Sequence, residues 1–425
     1  MGGAEIFICE SGAYHKAGGA TLTMHASNLT FCAMSSAKKR NRPPHVALII
    51  ETSKIYGREI LLGIARHMKL HGAWSIFTTE RGQDDEDPSW LANWEGDGII
   101  TRSLDMRVCR VARDRGIAVV SLRHLVAKPS LPTLMPDQQM IANRVAEHFL
   151  ERGLRNFAYV GVPGSKGWDR LRREAFLQAV HGRGCTNVAI RPMLTEPGLG
   201  WEQEEEQIAD WVRTLPTPVG IMVAHDTQGI LILDACRRAG VHVPDDVAVV
   251  SVDNDPVLCE VATPPLSSLD QNVQKLGFEA AAMLTRMMGG EKIANGNYFI
   301  EPGQVVVRQS SDVVAVPDAR VAKAIRFVRE NACRGLNVTA VARAAGMSRR
   351  ALENKFAQLI GRSPLQEIQE MRFRRVRQLL LETDYVLPQI AELAGFEYQE
   401  YMVRFFKKRT GLSPGQYRRK KRFDA

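Results

Sequence analysis

Cysteine is scarce in this chain. The 425 residues hold 7 (Cys9, Cys32, Cys109, Cys185, Cys236, Cys259, Cys333), odd in number, scattered and never at metal-ligand spacing. A disulfide framework and a zinc module are thereby excluded, and the pattern reads as reduced, mostly buried thiols in a reducing compartment such as the cytoplasm. Long apolar runs are missing too, since none approaches the roughly 18 residues that a bilayer span needs. Residues 1–43 lack the basic start and continuous apolar stretch of an export signal. Their scattered Gly, Ser, Thr and His, with Met34 just ahead of Lys38-Lys-Arg40, predict a disordered leader or a mis-called start codon. The sequence has no Gly-x-Ser-x-Gly elbow and no metal-spaced His/Asp/Glu cluster, so an enzyme is not expected and no cofactor is implied. Gly161-Val-Pro-Gly-Ser-Lys-Gly167 lacks the Gly-Lys-Ser/Thr of a phosphate loop and reads better as a hinge-side cleft loop.

What is present is charge, unevenly placed. The net charge is +9, yet Asp318 to Ala425 alone hold 23 Lys and Arg against 11 Asp and Glu, a local +12. The remaining 33 basic and 36 acidic residues leave −3 for everything upstream. A basic tail on a near-neutral body is the footprint of a nucleic-acid-binding part, and a membrane-surface reading is the weaker alternative. The length suits about three compact lobes.

From His45 to about Asp270, short β-branched runs alternate with helical stretches. The runs are 45–50, 74–78, 98–101 and 117–121, then 157–161, 188–191, 219–223 and 247–252. Nearly continuous apolar strands separated by helices predict parallel sheets covered on both faces, and their number predicts two open α/β lobes over 44–308. Ligands of such sheets bind beyond the carboxyl ends of the strands, so the crevice between facing lobes is the expected site. The apolar helix Val273–Met288 and the stretch Tyr298–Val307 read as a return to the first lobe, and 309–318 as a linker.

Residues 319–425 read as an all-α module with two helix-turn-helix units. Helices are predicted at Arg320–Asn331, Val338–Gly346, Arg349–Leu359, Pro364–Glu382, Leu387–Ala394 and Gln399–Thr410. Each unit has small residues before a Gly stop (Gly346, Gly395), an aromatic in the second helix (Phe356, Phe405) and a Gly-x-Ser-Pro ending (361–364, 411–414), a repeat of about 50 residues. Small residues let two helices cross closely while the glycine turns the chain.

The span Gly395-Phe396 through Tyr417-Arg418 resembles the AraC/XylS family of transcription regulators. Met402 stands where an aromatic is usual there and should still fill a core position. Trp168-Asp-Arg-Leu-Arg172-Arg-Glu-Ala-Phe, Ala224-His-Asp226 and Val249-Val-Ser-Val-Asp253-Asn-Asp resemble the LacI/GalR and periplasmic-binding-protein sugar sensors. A sensor followed by an AraC-type module is an unusual order. Ser53-Lys-Ile-Tyr56-Gly-Arg58, Asp210-Trp-Val-Arg-Thr-Leu-Pro216 and Asn331-Ala-Cys-Arg-Gly335 are similar to regulators of that composite kind. The resemblance implies a pentose effector, D-xylose first, activation rather than repression, a double-stranded DNA operator, a homodimer and contact with RNA polymerase. A regulator responding to another sugar, or a sugar receptor without a DNA role, is the alternative.

Candidate residues follow. Polyhydroxylated ligands need paired donors and acceptors on rigid strand ends together with a flat apolar face. The resemblance assigns Arg172 and Asp253 to sugar hydroxyls. Tyr56 and Arg58 are expected to serve from the first lobe, and His225 stands where such sensors often carry Asn. Trp201 reads equally as a stacking ring or as core, and Asp226 equally as a ligand group or as the cap of the helix that follows. Early in the two recognition helices, Arg350, Glu353 and Asn354, then Gln399, Glu400 and Arg404, are placed for base edges. Arg349, Lys355, Lys407, Lys408 and Arg409 read as phosphate or solvent contacts, as does the run Arg418–Arg422.

Overall fold

The computed structural model describes residues 42–82, 89–102, 110, 114–122, 129–162, 167–191, 201–313, 316 and 318–423. The leader, most of the Gly161–Gly167 loop and part of the 309–318 linker lie outside the described residues, as do Cys9, Cys32 and Cys109. Along the chain run β1 (His45–Ile49), α1 (Ile55–His71), β2 (Ser75–Thr78), β3 (Gly98–Thr101), β4 (Ala118–Ser121), β5 (Pro132–Pro136) and α2 (Gln138–Glu151). Next come β6 (Asn156–Val160), α3 (Gly167–His181), β7 (Val188–Arg191), α4 (Trp201–Arg213), β8 (Val219–Val223), α5 (Asp226–Ala239), β9 (Val247–Val252) and α6 (Pro256–Val261). β10 (Ser267–Leu269), α7 (Val273–Met288), β11 (Gly296–Ile300) and β12 (Val305–Val306) complete the sensor part.

These elements form two six-stranded sheets, ordered β11-β5-β4-β3-β1-β2 and β12-β10-β9-β8-β6-β7. All observed pairings are parallel except β10 with β12. The chain divides into one unit of 1–137 with 272–301 and another of 138–271 with 302–425. Tyr298–Val307 is therefore not one return to the first lobe. Its first half pairs with β5, while Val305–Val306 pairs back with β10 in the second lobe. Alternation of side chains along each strand explains the covered faces. In β6, Phe157 and Tyr159 join the apolar cluster of α2 and α3, whereas Ala158 and Val160 join that of α4 and α5.

The C-terminal module is α8 (Ala319–Asn331), α9 (Val338–Ala344), α10 (Arg349–Ile360), α11 (Pro364–Glu382), α12 (Leu387–Leu393), α13 (Gln399–Thr410) and α14 (Pro414–Phe423). Asp318 caps α8 through the Arg320 and Val321 amides, which places the start of the module where its charge begins to rise. The Gly-x-Ser-Pro repeat has a plain physical reading. Gly361 and Gly411 end their helices in the left-handed region. Ser363 and Ser413 then exchange hydrogen bonds with Gln366 and Gln416, so each next helix starts inside a capping box with Pro at its first position. α11 spans two cores, burying Ile368 with Leu352 and Phe356, and Val376 and Leu380 with Met402 and Phe406. Met402 is core as expected. The partner of Phe356 is Phe406 rather than Phe405, because the second unit turns through Gly395-Phe-Glu-Tyr398 where the first uses Gly346-Met-Ser348.

Candidate effector cluster and DNA-facing surface

In the first lobe, Glu51 follows β1 and Arg102 follows β3, so both stand at carboxyl ends of adjacent strands. They form an ion pair, and the Arg102 guanidinium lies 4.2 Å from the centre of the Tyr56 ring. Tyr56 is thus held in place by a cation over its face. Arg58 is exposed and donates to the Thr52 carbonyl at 2.8 Å. Sequence reasoning reached Tyr56 and Arg58 but missed Glu51 and Arg102, whose juxtaposition depends on strand order.

In the second lobe, Arg172 is 2 % exposed and its guanidinium donates to Gln138 Oε1 at 2.9 Å, to the Ala224 carbonyl, and to Gln271 Oε1 at 3.3 Å. Gln271 passes the chain on, donating through Nε2 to Asp253 Oδ1. The guanidinium lies 5.1 Å from the centre of the Trp168 ring, and the His225 ring is 6.2 Å from that ring. Asp169 accepts from the Tyr159 hydroxyl at 2.7 Å, which orients the start of α3. Burial pushes the Tyr159 phenol well up, with the neighbouring Asp169 carboxylate adding to it, so that hydroxyl stays a donor. Asp253 has φ 116° and Asn254 φ 55°. Non-glycine residues seldom adopt such angles, so this turn is a position held by its surroundings.

Asp226 requires a correction. It is 1 % exposed, and its carboxylate accepts from Ser251 Oγ at 2.5 Å, Ser268 Oγ at 2.6 Å and the Asp255 amide at 2.7 Å. Burial pushes its carboxyl above the usual range, against those hydrogen bonds. It does not cap its own helix, of which it is the first residue; it ties β9 and β10 to the start of α6. Trp201 opens α4, but its side chain lies outside the described residues. Trp168 is the aromatic ring that meets Arg172.

On the module, Arg349, Arg350, Asn354, Glu400, Arg404, Lys407 and Lys408 are exposed, and Glu353 and Gln399 half-buried. Arg349 donates to Glu353 at 2.9 Å. Other expected phosphate contacts are engaged too, Arg418 through the Leu380 and Tyr385 carbonyls. Lys355 pairs with Asp318, and Arg409 donates to Glu370 at 2.5 Å while stacking on Phe373 and Phe405. The side chains of Lys420–Arg422 lie outside the described residues.

Within the same structural unit, α8 meets the second lobe through charge. Arg329 donates to Asp245 Oδ1 at 2.6 Å, and Arg326 to Asp246 Oδ1 at 2.9 Å, with Asp245 3.5 Å away. Arg374 of α11 pairs with Asp312. Among the described residues, the lobe's apolar cluster reaches only to Val313 and the module's begins at Val316.

Residues 45–136 match the XylR N-terminal domain, 146–311 a periplasmic binding protein-like domain and 341–420 a helix-turn-helix domain. The xylose operon regulatory protein of Escherichia coli (strain K12) is 28 % identical over 389 residues, covering 89 % of this chain and 97 % of that protein. Its counterpart in Haemophilus influenzae is 26 % identical over 380 residues, covering 88 % and 97 %. A solved structure of the xylose-binding transcription activator XylR aligns with a TM-score of 0.71 at 26 % identity, over 89 % of this chain and 98 % of that one. The operator-bound lac repressor dimer aligns at 0.51 and 16 % identity over 64 % of this chain, a likeness of fold alone. With these three domains in this order, the chain is a XylR-like transcription regulator, a LacI-like sensor joined to an AraC-type helix-turn-helix region.

Proposed function

We propose that this regulator responds to a pentose, D-xylose first, and that it activates transcription when the sugar is bound. The observation that carries the effector is the buried chain Arg172–Gln271–Asp253 with Trp168 against it. Donors, acceptors and a flat ring converge there at strand ends, as recognition of a polyol requires. Tyr56 and Arg58 are assigned to the effector from the first lobe. His225 is assigned to tuning which hydroxyls are accepted. Asp226 is withdrawn from the ligand set.

For output, Arg350, Glu353, Asn354, Gln399, Glu400 and Arg404 read base edges, while Lys407 and Lys408 meet phosphate. The protein works in the cytoplasm as a homodimer on a double-stranded operator, contacts RNA polymerase and catalyses nothing. The effector shifts regulation only through unequal affinity for two states of the protein. The ionic seat of α8 on the second lobe supports a route by which the state of that lobe reaches the module.

Calorimetry and thermal shift against a panel of pentoses and hexoses test the sugar. At an effector concentration of 100 times Kd the stabilisation is roughly 2.7 kcal/mol, easily seen as a higher Tm. A selective rise with D-xylose, lost in Arg172→Lys, is expected. Silence across the panel refutes the effector, and selectivity for another sugar reassigns it.

A further inference from the structure

The two helix-turn-helix units correspond residue for residue at an offset of 50 through their second helices, with Leu352 and Phe356 buried like Met402 and Phe406. Their exposed sides differ in kind. In the first unit the N-cap is Ser348, whose Oγ accepts from the Ala351 amide at 3.2 Å. In the second unit the same position is Tyr398, which makes no side-chain cap bond and is 63 % exposed. Tyrosine is a poor choice for helix stability there, where Ser, Thr, Asp or Asn would bond the first free amides. Tyr398 also makes no ring contact among the described residues, so packing does not account for it. The carboxylate of Glu397, the residue that lengthens this turn, raises the pKa of its phenol.

Helical spacing gives the side chain its company. Steps of three and four residues place Tyr398, Tyr401, Arg404 and Lys408 along one side of α13, all exposed. The matching stripe of α10 is Ser348, Ala351, Asn354 and Gln358, with no charge and no ring. In the first unit, moreover, Arg349 and Lys355 are occupied by Glu353 and Asp318.

We propose that Tyr398 is a specificity-determining DNA contact, and that the second unit therefore adds to its base-reading residues an aromatic and basic stripe whose counterpart in the first unit is neutral. The inference rests on the DNA-binding reading of the module. The ring packs against a thymine methyl beside the bases met by Arg404, and the exposed hydroxyl meets a backbone phosphate. Positive charge at Arg404 and Lys408 on the same stripe is what selects DNA as the occupant.

The test uses the full chain and the operator mapped by footprinting on the promoter it protects. Tyr398→Ser should leave Tm equal or higher, because the cap is restored, and still weaken operator binding on the order of tenfold. Replacing the thymine under the second unit by uracil removes only its methyl. That change should weaken binding of the unmodified chain and leave Tyr398→Ser unaffected, while Tyr398→Phe keeps the methyl sensitivity. Equal operator affinity for Tyr398→Ser and the unmodified chain, or indifference of both to uracil, overturns the contact. Failure of the unmodified chain to bind any operator would instead bring down the regulator reading itself, and this contact with it.

Discussion

Replacing Asp245 by Asn should loosen the DNA-binding module from the second lobe. Asp245 neutralises Arg329 at 2.6 Å and stands 3.5 Å from Arg326, with side-chain exposures of 11 %, 17 % and 29 %. Breaking a fully buried pair costs roughly 3–5 kcal/mol, and an exposed one about 0–1 kcal/mol. Arg329 lies toward the buried end, since desolvation lowers its pKa while Asp245 and then Glu367 hold it up. With Glu367 left to compensate in part, about 2 kcal/mol is the expected loss, a factor of roughly 30 in the docked population. Hydrogen exchange along Ala319–Asn331 and proteolysis of the 309–318 linker should report the release, more so at high salt. The decisive measurement is operator affinity with and without effector. Asp245→Asn should bind the sugar as before yet transmit it poorly, and Asp245→Glu, which keeps the charge, should retain the response. A full effector response with unchanged linker cleavage would refute the view that this ionic seat carries the signal.

Further outcomes follow from single residues. Burial, reinforced by the Arg152 charge and opposed by Ser311, lowers the His148 pKa to about 3. Below about pH 6.5 the unfolded chain takes up a proton that the folded His148 refuses, so stability falls as pH drops from there toward 3. The loss is roughly 2 kcal/mol at pH 5, and His148→Gln should flatten the slope of Tm against pH in that window, whereas identical slopes would contradict the assignment. Asp226→Ala leaves Ser251, Ser268 and the Asp255 amide without their acceptor and should lower Tm sharply while folded protein keeps its effector affinity. Normal Tm with lost sugar binding would return Asp226 to the site. Arg404→Ala should weaken binding at one base position, by about 1–3 kcal/mol, and Lys407→Ala uniformly across sequences with a shallower salt slope; the opposite pattern would swap their roles.

Six helices of the module were legible almost to the residue because their ends carry local chemistry, whereas α14 was not predicted and its Arg418–Arg422 part read as a basic run. Pro364–Glu382 starts at a Ser-Pro capping box, and Gln399–Thr410 stops at a left-handed glycine. β5 and β10 were not legible. Pro132 and Pro136 bracket the first, and the Ser267 and Ser268 of the second are buried only because distant partners satisfy them: Arg308 and Ser310 for one, Asp226 and Asn254 for the other. The same distinction runs through the site. Asp253 announces itself at a strand end and Arg172 in the first turns of a helix, but Gln271 lies 99 residues from Arg172, and Gln138 34 residues away, so only the fold reveals them as partners. Asp226 looked like a ligand because it follows a strand. Nothing local says that donors from other segments already hold its carboxylate.

The turn after β9 joins the residue proposed for the effector to the linker side of the lobe by a chain of hydrogen bonds. Asp253 receives Gln271, and its neighbour Asn254 accepts from Arg308 at 3.0 Å. Arg308 and Ser310 are in turn stitched to Ser267 and to the Val249 carbonyl, at 2.8 Å and 2.7 Å. Ser311 is gripped by His148 and Arg152, and Asp312 reaches Arg374 of the module. Adjacency of this sort is not coupling by itself, because a route carries a signal only if one of its elements has two arrangements that the ligand weights differently. The left-handed pair Asp253-Asn254 is the best-placed such element, since its backbone is held out of its ordinary basin by bonds on both sides. A sugar that replaces Gln271 at Asp253 removes one of those bonds, while Arg308 retains the other. On this view the hydrogen bonds fix where the module is tethered, and the ion pairs decide how firmly it follows.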